Sequence, residues 1–110
     1  MKLPNSQNAL VQTAKLEHYL LSELHPVGKA KALFFKGLGY DDKDTNILAQ
    51  DLIAIAQEEE VSEIQSSPFG MKYVIEGMIQ TPSGTTVTLR TVWMIERDNS
   101  QPRLVTAYPA

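Results

Sequence analysis

The stretch MKYVIEGMIQTPSGTTVTLRTVWMIE, residues 71–96, decides the fold. In its first part Tyr73, Ile75, Gly77 and Ile79 alternate with Lys72, Val74, Glu76 and Met78. Successive side chains of a β-strand point to opposite faces, so a period of two marks a strand. Thr81-Pro82-Ser83-Gly84 then puts proline and glycine where a tight turn needs them. Beyond the turn, Val87, Leu89, Thr91, Trp93 and Ile95 share one face, and Thr86, Thr88, Arg90, Val92 and Met94 share the other. Runs joined by so short a link pair as neighbouring antiparallel strands.

The same pattern extends both ways. Downstream, Asp98-Asn99-Ser100 reads as a turn and about 103–108 as a last strand. Upstream, about 61–66 reads as a short strand, closed by the turn Ser67-Pro68-Phe69-Gly70. Before Val61 the period becomes helical. Asp44 or Thr45 caps a helix whose apolar stripe is Ile47, Leu48, Leu52 and Ile55. Its end is expected near Gln57, because Glu58-Glu59-Glu60 would oppose the macrodipole at a helix C-terminus. An earlier helix begins at Pro26, a residue suited to the first helical position, and ends at Gly37 and Gly39. Val27, Ala30, Leu33 and Phe34 are expected on its inner face, with Lys29 and Lys36 outside. A first helix over about 14–23 follows Thr13 as N-cap, with Leu16 and Leu20 at helical spacing and Leu24 one turn beyond. Leu3-Pro4-Asn5 reads as an extended arm. The expectation is one α+β domain over residues 1–110, with about three N-terminal helices packed on one face of a four-stranded antiparallel meander.

Composition fits that frame. The chain has 110 residues, 43% of them hydrophobic, enough for one core. With no cysteine, disulfides, thiolate zinc sites and cysteine nucleophiles are excluded. His18 and His25 are the only histidines, and their spacing matches no familiar metal site, so neither metal nor cofactor is expected. The acidic Asp41-Asp42-Lys43-Asp44 lacks the alternation of a calcium loop and reads as a solvated connection. Neither a signal peptide nor a membrane span is expected, which makes the cytoplasm the default location. A net charge of -3 weighs against a broad nucleic-acid footprint.

Two places could carry chemistry. The sheet face away from Trp93 offers Lys72, Glu76, Thr88 and Arg90, and with them Thr106 and Tyr108. Cationic and hydroxyl groups of this kind can hold a phosphate. The same residues also suit a solvated face with a cross-strand pair between Glu76 and Arg90. The second place is HPVGKAK at 25–31. A helix start presents free N–H groups to an anion; His25 could move protons, and Lys29 and Lys31 carry charge. Here too a plain alternative stands, in which His25 caps the helix and the lysines are solvated.

These segments carry a resemblance. HPVGKAKALFFKGLGY at 25–40, SPFGMKYVIEG at 67–77, TPSG at 81–84, RTVWMIE at 90–96 and PRLVTAYP at 102–109 resemble a bacterial domain-of-unknown-function family of about this length. More loosely, helices followed by a four-stranded meander are similar to the ribonuclease superfamily of barnase, EndoU, colicin and RelE toxins, which cleave RNA without metal. That likeness implies His25 as the proton-transfer residue, Lys31 and Arg90 on the scissile phosphate, and Thr106 and Tyr108 as positioning groups. The other expectation is a binding module: a partner or immunity-like protein that uses its sheet face or its exposed final strand for a small protein partner, or an exposed edge strand for a second copy of itself.

Overall fold

The structure, a computed structural model, describes residues 1–12, 16, 29–40 and 44–110, and for 29–32 the backbone alone. Four strands form one sheet in the order β1-β2-β3-β4, with β1 Val61–Ser67, β2 Gly70–Gln80, β3 Thr86–Glu96 and β4 Asn99–Pro109. Every neighbouring pair is antiparallel. Among the described residues two α-helices precede the sheet, α1 Lys29–Gly37 and α2 Thr45–Glu58, together with a 3-10 turn at Ser6–Asn8. The architecture is therefore α+β with a four-stranded antiparallel meander. The described helices number two against the three expected. The helix anticipated over 14–23 lies, Leu16 apart, outside the described residues, as do His18, His25 and Asp41-Asp42-Lys43.

The pairing of β2 with β3 fixes the register of the central hairpin, which alternation alone leaves open to a slip of one residue. Tyr73 faces Trp93, Ile75 faces Thr91, Gly77 faces Leu89 and Ile79 faces Val87. On β4, Ala107 and Leu104 join that side opposite Thr91 and Trp93. Ile75, Leu89, Trp93, Leu104 and Ala107 are buried there against Leu48, Leu52, Ile55 and Ala56 of α2 and Phe35 and Tyr40 of the α1 region. Gly77 lets α2 come close. A Cβ at Gly77 would stand 3.0 Å from both γ carbons of Ile55 and from Cγ of Glu59.

Three local expectations change. Leu33 of α1 is 51% exposed, and Phe35 is the buried side chain, set edge-on to Phe34 and Tyr40. Ile47 of α2 is 50% exposed, because the inward stripe runs Thr45, Leu48, Leu52, Ile55 and Ala56. Asn99 and Ser100 belong to β4 and not to a turn. Asn99 pairs with Glu96, so Arg97 and Asp98 alone make the link. The opening residues also do more than extend. Leu3 is buried, Asn5 and Gln57 tie the 3-10 turn to β4 and α2, and Leu10 bridges β4 in parallel at Arg103.

Two polar groups are buried productively. The Tyr40 hydroxyl donates to Oδ2 of Asp51 at 2.6 Å, and burial followed by that carboxylate pushes its ionisation above the ordinary tyrosine range. Thr91 sits among apolar residues on the core face, fully buried. Its hydroxyl donates to the Ile75 carbonyl at 2.8 Å and accepts the Trp93 indole N–H at 2.8 Å. The largest core side chain thus satisfies its one donor inside the sheet. Thr91→Val keeps the shape and strands the Trp93 N–H without a partner. Urea unfolding should show a loss of about 1–3 kcal/mol for Thr91→Val, and much less for Thr91→Ser, which keeps the hydroxyl. Equal stability of Thr91→Val and the parent would refute this role.

Candidate functional site

The sheet face opposite the described helices collects the polar residues singled out from sequence. The registers stack them in rows across the strands. Glu76 of β2, Arg90 of β3 and Tyr108 of β4 lie side by side in one row. The next row is Val74, Val92 and Thr106, with Glu63 of β1 beside Val74. After it come Lys72, Met94 and Arg103, with Gln65 at the β1 end. Thr88 lies on the other side of the Arg90 row, opposite Met78. This face is not uniformly wet: Val74 and Met94 are buried between their polar neighbours.

Arg90 is the centre of the arrangement. Its Nη2 lies 3.3 Å from Oε1 of Glu76, with side-chain exposures of 43% and 37%. A hydrogen bond with Tyr108, and after it Glu76, holds the guanidinium still more firmly in its charged form. Its Nε is closed off from solvent with no hydrogen-bond partner among the described residues. A second ion pair, Arg103 Nε to Glu96 Oε1 at 2.7 Å, borders the face. Sequence reasoning passed over Glu96 and Arg103, although both fall on this face once β4 is paired residue by residue.

Arg90, Tyr108, Glu76, Thr106, Lys72 and Thr88 thus share one surface, the first three in direct succession. His25 lies outside the described residues. Lys29 and Lys31 lie on α1, with side chains outside them as well. The meeting of the helix start with the sheet face therefore falls outside what the structure describes. Among the described residues no group of three or more histidine, aspartate or glutamate side chains is placed to hold a metal ion, and no helix is long and apolar enough to cross a membrane.

A different feature had no sequence signal. A cavity of about 350 Å³ opens between α2 and the end of β2, lined by Asp51, Ala54, Ile55, Glu58 and Glu59 on one side and Met78, Ile79 and Gln80 on the other. It exists because β1 begins opposite Ile75, so β2 runs on past its neighbour.

The Glu76–Arg90 contact is half-exposed and spans neighbouring strands, where such pairs contribute little. A double-mutant cycle on Glu76→Ala and Arg90→Ala should give effects on unfolding that nearly add. A strong departure from additivity would make the row a structural clamp.

No curated protein matches the chain. Among solved structures, a chain of the contact-dependent growth inhibition toxin–immunity protein complex from Klebsiella pneumoniae 342 superposes with a TM-score of 0.71 at 18% identity, covering 94% of this chain and 95% of that one. At that identity the likeness is one of fold. The family model described as a domain of unknown function, DUF6883, matches residues 2–110, and the chain belongs to that family.

Proposed function

We propose that this domain is a protein-recognition module of the immunity or partner type, which binds a small protein through its polar sheet face. The observation that carries this reading is the Glu76–Arg90–Tyr108 row, set on the side of the sheet away from the described helices. The row occurs in a fold shared with a member of a toxin–immunity complex. Arginine and tyrosine are favoured at protein interfaces, because each offers a large contact area together with directed hydrogen bonds. Buried Val74 and Met94 give the row a firm base. The net charge of -3 suits a protein partner better than a polyanion. The proposed location is the cytoplasm, where a chain without cysteine needs no oxidising environment.

A second reading has its own support. Arg90 bonded to Tyr108, one row from Thr106, is the trio that a metal-independent ribonuclease would set on a scissile phosphate. RNA is then the partner, and His25 and Lys31 complete the chemistry. One pair of assays separates the two. For the binding module, the product of the gene next to its own should form a 1:1 complex in calorimetry, and Arg90→Ala should weaken it about tenfold or more. Total tRNA and a short oligoribonucleotide should survive incubation with the domain in EDTA. Cleavage that Arg90→Ala and His25→Ala both abolish would replace the binding module with the ribonuclease.

A further inference from the structure

Strand β2 is longer than the strand that covers it. β1 pairs with Gly70 through Ile75, and no described residue pairs with Glu76–Gln80 on the side away from β3. A stretch of unpaired backbone N–H and C=O groups is a template for another strand. Folded proteins blunt such edges, and this one does so elsewhere. β1 carries a bulge between Val61 and Glu63 and a polar, exposed sequence. β4 is bridged by Leu10 and holds Pro102 and Pro109, which have no N–H to donate. The Glu76–Gln80 edge has no proline, no lysine and no bulge, and Met78 stands 70% exposed on it.

The cavity beside this edge says what the added strand should carry. Side chains of a strand laid along β2 would alternate between the helix side and the open side. On the helix side they would enter the space lined by Asp51, Glu58 and Glu59. Glu58 and Glu59 make no ion pair with any described residue. On the open side they would lie against Met78. Like charge disfavours a second copy in this position, since it would bring the same glutamates together across the new seam.

We propose that Glu76–Gln80 captures an extended segment of a partner protein by strand addition, and that the segment alternates basic residues facing α2 with apolar residues facing Met78. Main-chain pairing supplies the grip and the acid-lined cavity the selectivity. This inference rests on the protein-recognition reading and names a second contact for the same partner.

The test uses the full chain, labelled with ¹⁵N, and a short blocked peptide of alternating lysine and valine. Its amide shifts should be confined to Glu76–Gln80 and the facing side of α2 from Asp51 to Glu59. A glutamate–valine peptide should give none. Glu58→Gln combined with Glu59→Gln keeps the Glu59 stem that covers Gly77, and should weaken the lysine peptide about three- to tenfold. Shifts elsewhere, an equal response to the acidic peptide, or unchanged affinity in the glutamine variant would overturn the proposal. So would concentration-dependent changes at the same amides without peptide, which would assign the edge to a second copy. If the edge ignores the peptide while the neighbouring gene product still binds in calorimetry, strand capture alone fails; if neither binds, the recognition reading fails with it.

Discussion

The close approach of α2 to β2 at Gly77 governs how the rest of the molecule is arranged. With no side chain at that position, Ile55 and Glu59 rest on the strand backbone itself. A larger residue would push the helix outward along its last turn. Seated where it is, α2 ends at Glu58, and the short Glu59-Glu60 link brings the chain into the sheet opposite Ile75. The free end of β2 and the acid-lined cavity both follow from that entry point.

The two faces of the sheet have different internal logic. On the helix side, the buried relay from Trp93 through Thr91 to the Ile75 carbonyl turns a polar group into a fixed part of the core. On the other side, contacts such as Glu76 with Arg90 are half-exposed and individually weak. The fixed core thus sets the backbone positions from which the row of Glu76, Arg90 and Tyr108 projects.

Much of this was legible from residues alone. The period of two through 71–96 carries the hairpin and groups its residues by face, and it anticipates the Glu76–Arg90 pair. It leaves the register open to a slip of one residue that only the pairing of β2 with β3 closes. Helical phase was harder to read. Leu33 and Ile47 are as apolar as their neighbours, and only the tertiary contacts of Phe35 with Tyr40 and of Ile55 with Gly77 choose between them. Thr91 reads as an ordinary strand threonine until the Trp93 indole is placed beside it. The cavity and the strand overhang have no local signature, because they arise from the relation of two elements and not from either one.

The seat of α2 on Gly77 is tested most directly by unfolding measurements on Gly77→Ala, Ile55→Ala and the two combined. Alanine in a strand would ordinarily gain about 0.5–1 kcal/mol over glycine. Here a tight contact should reverse the sign, with a net loss of about 1–2 kcal/mol in Gly77→Ala. Ile55→Ala is costly alone, about 2–5 kcal/mol, but it removes both γ carbons that crowd the new methyl. Gly77→Ala should therefore cost less in its background, as a favourable coupling in the double mutant. Gly77→Ala as stable as the parent chain, or losses that simply add, would contradict the account.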